Sequence, residues 1–339
     1  MPTIFERIIF PLLSGKNSKL AFYARGLARE LEPRWNIQRR IETARRSCDT
    51  AMQERAEYCC KLARGAELPS DASRLRDLRF PRKGSAYWFD AREVIRCFDG
   101  DLRWLYKFGD ITTVPQFPTI VKSRPIAGDN ANSVLLPLNK IRHFVFVNDT
   151  IPFAQKKDSA VFRGVVKGRD KRKPLFEKHF GNPLVDLGDT TRHPIDAPEW
   201  RTPKMTIAEQ LQHKFVLAIE GNDVASNLKW VMSSNSAAMM PPPEFETWFM
   251  EGTLIPDEHY ISLAPDYSDL DEKIRWYSAH PEASERIIKN ANIYTQRFRD
   301  PKREFATALL TLDRYFAALR NGDDADASLK RMCETNSQT

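Results

Sequence analysis

No stretch of this chain comes near the run of about 18 apolar residues that a membrane-spanning helix needs. The opening, MPTIFERIIFPLLSGKNSKLAF, holds a short apolar segment that Glu6, Arg7 and Pro11 interrupt. A secretory leader would set its basic residues before an unbroken apolar run and finish on small residues. The segment therefore reads as the first structured piece of a cytoplasmic protein. Cysteine is scarce and odd in number: Cys48, Cys59, Cys60, Cys97 and Cys333. Their spacing suits no metal, and neighbours such as Cys59 and Cys60 point in different directions on a helix. Structural or incidental thiols are expected, without a disulfide framework. The common nucleic-acid modules and zinc patterns are also missing, so no nucleic-acid partner is expected.

What remains is an ordinary globular composition, 42% hydrophobic and 29% charged over 339 residues, enough for one to three domains. The net charge of +7 favours anionic partners: phosphosugars, nucleotides, nucleic acid or an acidic membrane surface. The basic residues concentrate in Arg25–Arg46, Arg74–Lys83 and Lys167–Lys173.

Two textures divide the chain. Residues 1–80 hold good helix formers broken at Pro33 and Gly65. From Ser85, SAYWFDAREVIRCFDGDLRWLYKFGDI carries aromatic and β-branched runs around Asp99-Gly100-Asp101, which predicts a hairpin or two strands. Past Pro152, strands and helices alternate. SAVFRGVV predicts a strand, KGRDKRKPLFEKHF a basic loop entering a helix, PLVDLGD a strand and TIAEQLQHKF a helix. After Pro243, EFETWFMEGTL predicts a helix, HYISLAPD a strand with a turn, and the next stretch a helix capped by Asp266 or Ser268 and broken at Pro281. Such alternation implies a parallel sheet, whose ligands bind at the carboxyl ends of the strands. KREFATALLTLDRYFAAL predicts a last amphipathic helix. The expected division is 1–150, 151–300, a helix over 301–320 and a disordered tail over 321–339.

The pivotal stretch is His213–Pro242. It reads as a strand (Lys214–Ile219), a polar loop over Gly221–Asn227, a helix near Asn227–Ser234 and a second apolar strand. A strand feeding a loop and a helix start presents free N–H groups and the positive end of a dipole to a phosphate. Lys229, inside the first turn, would add a mobile charge. Elsewhere, Asp99 and Asp101 suit either a hairpin turn or a divalent cation on a sugar diphosphate. Asp110, after Gly109 at a strand end, suits a cleft or an Asx turn. Lys122 and Arg124 offer two cations on a short rigid segment.

Together, Phe162-Arg163-Gly164 with its basic run, EGNDVASNLKWVMSSNSAAM, EFETWFMEGTLIPDEHYISL and SDLDEKIRW resemble glycosyltransferase family 90, over roughly Lys107 to Asp300. Its members include bacterial lipopolysaccharide core transferases of the LpsA type and Rumi-like protein O-glucosyltransferases. KSRPI, LLPLNKIRHF and GNDVASNLKW are similar to the bacterial branch. The resemblance implies an α/β, GT-B-like fold: two Rossmann-like domains facing across a cleft, here with a helical N-terminal segment. It implies a nucleotide-sugar donor, UDP-glucose or UDP-galactose foremost, inversion at the anomeric carbon and no required metal or other cofactor.

Carried over by position, Asp110 falls on the catalytic base and Arg172 on a donor-binding arginine. Gly221, Asn222, Asp223, Val224, Ala225, Ser226 and Asn227 fall on the diphosphate loop, with Arg163, Gly164 and Lys229 beside it. Lys122, Arg124, His259 and Tyr260 are candidate substrate contacts. The chain departs from the eukaryotic members at Asn227, where they carry a phosphate-gripping arginine, and at Val165, where they carry a serine. The implied acceptor is a saccharide, foremost a lipopolysaccharide core, with the basic amino-terminal half in peripheral contact with an anionic inner-membrane surface. The rival readings are a metal-dependent transferase through Asp99 and Asp101, a basic nucleic-acid-binding protein, and a catalytically silent family member.

Overall fold

The computed structural model describes residues 14–191 and 197–319; the tail expected to be disordered and Cys333 lie outside them. In chain order the elements are α1 (Lys19–Glu30), α2 (Arg34–Arg46), α3 (Thr50–Cys59), β1 (Ser73–Arg74) and α4 (Ser85–Ile95). Next come five short strands: β2 (Arg103–Trp104), β3 (Tyr106–Lys107), β4 (Thr119–Val121), β5 (Ser123–Pro125) and β6 (Ser133–Leu135). After them follow β7 (Lys157–Gly164), α5 (Lys173–His179), β8 (Val185–Asp189), β9 (His213–Leu217), α6 (Leu228–Met232) and β10 (Ala237–Met240). The described elements end with β11 (Phe245–Thr247), β12 (Ile261–Ser262), α7 (Leu270–Ala279), α8 (Pro281–Gln296) and α9 (Pro301–Ala318). The cores form two compact units.

The sheet unit comprises 14–18, Ile141–Glu244 and Glu251–Arg297. Its five strands run parallel in the order β12-β10-β9-β7-β8. Every residue of β9 is buried, as expected of a strand covered on both faces. Leu175 and Phe176 of α5, Leu270 and Ile274 of α7, and Ile287 and Ile288 of α8 join Phe162, Leu187, Phe215 and Met239 of the strands in one core. Local chemistry sets the element ends. Thr206 and Glu209 form a reciprocal capping box on the helical turn Ile207–Gln210 that feeds β9. Pro281 opens α8 and separates it from α7.

The sheet order matters for function. From β7 the chain moves outward to β8, then returns to the other side of β7 as β9 and continues to β10. The direction of winding thus reverses between β7 and β9, the place where open parallel sheets bind ligands beyond the strand carboxyl ends.

The helical unit comprises Lys19–Lys140, Phe245–Met250 and 298–319. It holds a three-stranded parallel sheet, β3-β4-β6, and the antiparallel pairs β1-β2 and β11-β5. Helix α9 starts on Asp300, whose carboxylate accepts from the Lys302 and Arg303 amides, and packs against α2 and α3. Arg55 of α3 grips Glu304 of α9 at 2.5 Å.

Two local expectations are corrected. Ser85–Ile95 is a helix, not part of a hairpin. Its buried positions Trp88, Ala91 and Ile95 recur with helical spacing, and Asp90 and Glu93 share one side, where Lys140 lies 3.5 and 2.5 Å from them. Residues 245–247, expected in a helix, form β11 instead, because Glu246 pairs across the ladder with Arg124 of β5. The helix-prone composition of EFETWFMEGTL yields to this buried ion pair, with Nε to Oε1 at 2.8 Å. Among the described residues no helix is long and apolar enough to cross a membrane.

Candidate active site

Arg172 organises the carboxyl end of the five-stranded sheet. It stands just before α5, and its guanidinium reaches across both strands of the switch point. Nη1 donates to the Val165 carbonyl just past β7 at 2.8 Å. Nε and Nη2 donate to the Glu220 and Ile219 carbonyls just past β9, at 3.1 and 2.9 Å. A guanidinium has five N–H groups, so two remain beyond these three carbonyls. The guanidinium also lies over the Phe162 ring, 5.3 Å from its centre.

Two glycines make room for it. A Cβ on Gly164 would come 2.7 Å from Phe162 and 3.2 Å from Arg172 Nη1, and one on Gly221 would come 3.2 Å from Arg172 Nη2. Both belong to the expected donor site, and the close approach of a guanidinium explains them. Burial first, then the like charges of Arg169 and Arg142, push the Arg172 pKa down to about 10. Concentrated positive charge held by neutral carbonyls is what an anion site requires.

The remaining expected donor residues divide. Within the loop, Asn222 is exposed, while Asp223, Val224 and Ala225 turn inward and are buried. Ser226 and Asn227 are partly exposed, and the Asn227 amide donates to the Leu217 carbonyl at 2.9 Å. This amide thus ties the loop back to β9. Helix α6 behind the loop has only five residues, so its dipole is short.

Lys229 contributes no mobile charge there: it is fully buried and ion-paired with Glu251. Arg163 turns toward β8, donating to the Asp186 carboxylate at 2.7 Å and to the Asp186 carbonyl at 2.9 Å. Tyr267 had no visible signal in the sequence, and Lys171 stood out only as part of the basic run Lys167–Lys173. Lys171 bridges the carboxylates of Glu220 and Glu244, and the Tyr267 hydroxyl donates to the Lys171 carbonyl at 2.5 Å. Together they fix the turn from which Arg172 projects.

The helical unit presents a second constellation, again at the carboxyl ends of parallel strands. Asp110 follows β3, and Lys122 follows the adjacent β4. Lys122 Nζ sits 2.6 Å from Asp110 Oδ1. Gly109 supplies the turn, with φ of 125°. Ser123 clamps the next residue from both sides: its Oγ accepts from the Ile111 amide at 3.1 Å and donates to the Ile111 carbonyl at 3.2 Å. The result is a partly exposed carboxylate on a fixed backbone beside a buried cation, geometry that suits a base.

Arg124, two residues on, serves the core. It is fully buried and donates to Glu246 and to the carbonyls of Tyr58 and Ser133, so it lies away from any exposed site. His259, in the sheet unit, accepts from the Ile255 amide at 3.0 Å and meets Tyr294 edge-on. Burial lowers its pKa, and Tyr260 is wholly buried. This pair holds its loop together. Asp99 and Asp101 form a turn: Asp99 accepts from the Asp101 amide at 2.9 Å, and Arg74 and Arg76 grip Asp101 Oδ1 at 2.6 and 2.7 Å. Burial pushes the Cys59 and Cys60 thiols up to about 12 and about 11, values of inert structural groups.

The chain is 40% identical over 301 residues to O-glucosyltransferase LpsA of Dichelobacter nodosus, spanning 88% of this chain and 91% of that protein. It is 26% identical over 165 residues to protein O-glucosyltransferase 3 of Homo sapiens, spanning 47% of this chain and 32% of that protein. Residues 135–333 match the family model described as glycosyl transferase family 90. The chain therefore belongs to glycosyl transferase family 90 and is an enzyme of the hexosyltransferase class.

Proposed function

We propose that this glycosyltransferase moves a hexose from a UDP-sugar, with inversion at the anomeric carbon, onto a saccharide acceptor, foremost a lipopolysaccharide core. The observation that carries the donor half is Arg172, bridging the ends of β7 and β9 with two N–H groups to spare. A departing diphosphate needs fixed positive charge and donors where its charge grows, typically worth about 3 kcal/mol per group. With Lys229 and Arg163 committed to Glu251 and Asp186, that demand falls on Arg172, helped by the neighbouring Arg169 and the amides of Gly221–Asn227.

Asp110 is the proposed base. It takes the proton of the acceptor hydroxyl as the oxygen attacks the anomeric carbon. The bond from that carbon to the diphosphate breaks, and the nucleoside diphosphate leaves with the bonding electrons. An ordinary carboxylate suffices, because the hydroxyl becomes acidic only as the new bond forms.

The name of the Dichelobacter nodosus relative makes UDP-glucose the first donor to try, with UDP-galactose second. Peripheral contact with an anionic inner-membrane surface, from the cytoplasmic side, would bring a membrane-borne acceptor within reach. The deciding experiment is isothermal calorimetry with UDP and UDP-glucose. Binding that Arg172→Ala weakens at least about tenfold supports the reading, and equal affinity for both proteins removes the donor assignment.

A further inference from the structure

The first two helices carry a surface the chemistry does not use. Helix α1 has two apolar faces. The inner one packs on α4: a Cβ on Gly26 would strike Phe89 at 2.4 Å, and the Phe22 and Tyr23 rings meet Phe89 edge-on. The outer one is a stripe of Leu20, Ala24, Leu27 and, just past the helix end, Leu31. At 3.6 residues per turn these four positions fall within an arc of about 60°. Leu20, Leu27 and Leu31 are 82%, 60% and 86% exposed, and Trp35 at the start of α2 is 66% exposed. Soluble proteins expose single leucines freely, but three aligned on one helix face, with an exposed tryptophan a few residues on in the chain, form a surface that suits a partner.

The surrounding charge says which kind. On α1, Lys19 and Arg25 lie roughly 100° and 140° to either side of the leucine line. Arg34, Arg39, Arg45 and Arg46 of α2 are also exposed. Between positions 19 and 46 the one exposed acid is Glu42, which pairs with Arg46 at 3.0 Å. Glu30 and Glu32 are drawn inward, onto Arg92 and Arg40 at 3.1 and 3.0 Å. Apolar side chains flanked almost wholly by cations match an interfacial helix: leucines and tryptophan enter the headgroup boundary while basic residues stay among anionic headgroups. A second copy of this chain would bring like charge against like charge. A nucleic acid would leave the leucines without a partner.

We infer that the outer face of α1, continued by Trp35, is the docking surface for an anionic lipid bilayer. This deepens the membrane contact proposed above by assigning it to named residues. The test is co-sedimentation of the full chain with vesicles of phosphatidylcholine, with and without phosphatidylglycerol. Wild type should sediment with the phosphatidylglycerol vesicles and be released by salt. Leu27→Glu/Leu31→Glu should lower partitioning at least about tenfold, with the melting temperature and UDP affinity unchanged. Arg34→Glu/Arg39→Glu should do the same in low salt.

Undiminished vesicle binding by the double leucine variant overturns the assignment while leaving a membrane contact elsewhere intact. Failure of wild type to bind phosphatidylglycerol removes both, though not the donor assignment, which UDP calorimetry reads separately. A dimer in light scattering that the leucine variant abolishes, or oligonucleotide binding that it weakens, equally overturns the bilayer as the occupant.

Discussion

Lys122, buried to 1% exposure, holds its ammonium 2.6 Å from the carboxylate of Asp110, which is 24% exposed. The cation is supplied from the buried side, and the carboxylate beside it is partly exposed. Asp110→Asn retains an oxygen to accept from Lys122 and should therefore fold. It should lose transfer by at least about 10²-fold while binding UDP as wild type does. Lys122→Met should also slow transfer, because the carboxylate then loses the ammonium that holds it, and Lys122→Arg should restore part of the rate. Steady-state rates beside UDP calorimetry check all three, and normal turnover by Asp110→Asn ends the base assignment.

Arg172 serves three carbonyls from one planar fork, which an ammonium cannot do. Arg172→Lys should therefore behave nearly as badly as Arg172→Ala in UDP binding. Both should also lower stability by about 1–3 kcal/mol, through carbonyls left without donors at the strand ends. Calorimetry and urea unfolding read the two effects separately. A lysine variant with wild-type affinity would show that charge alone matters.

Arg124 and Glu246 are both almost wholly out of water. Arg124→Met strands the Glu246 carboxylate with the Tyr58 hydroxyl as its remaining donor among the described residues. Breaking such a pair costs about 3–5 kcal/mol, so the variant should melt at clearly lower temperature. Below its melting point, UDP affinity should be unchanged. An affinity loss without a stability loss would return Arg124 to the ligand site.

His213 opens β9 with its ring 2.9 Å from Ser159 Oγ. Burial, then the nearby Lys157, lower its pKa from 6.5 to about 4. The unfolded chain therefore binds a proton between those values that the folded chain refuses. The His213 contribution to stability is full well above pH 6.5 and falls as the pH drops toward 4, by roughly 3 kcal/mol. Urea midpoints across that range should slope upward with pH in wild type and flatten in His213→Asn.

Asp101 is gripped by two guanidiniums, so its carboxylate is already neutralised. Asp101→Ala should cost no more than about 1 kcal/mol of stability at this exposed site. Transfer should continue with rates within about twofold, in the variant and in wild type treated with EDTA. Loss of activity on chelation, restored by Mn²⁺, would revive the metal-dependent reading.

The sequence alone determined what short-range forces determine. The strand, loop, helix and strand of His213–Pro242 were legible because apolar runs and polar breaks act over a few residues, and β9, α6 and β10 follow them. Pro281 and Asp110 after Gly109 were legible for the same reason, and the family motifs pointed to Arg172. Only the tertiary structure decided how charges are spent. Lys229 reads as a mobile cation until Glu251, distant in sequence, meets it in the core. Arg124 reads as a ligand contact until Glu246 draws both into a strand pair and turns an expected helix into β11. Asp90 and Glu93 of the helix Ser85–Ile95 find a shared partner in Lys140, about fifty residues on in the chain. A charge buried away from water must find its partner wherever the fold brings one, and no local pattern records that distance.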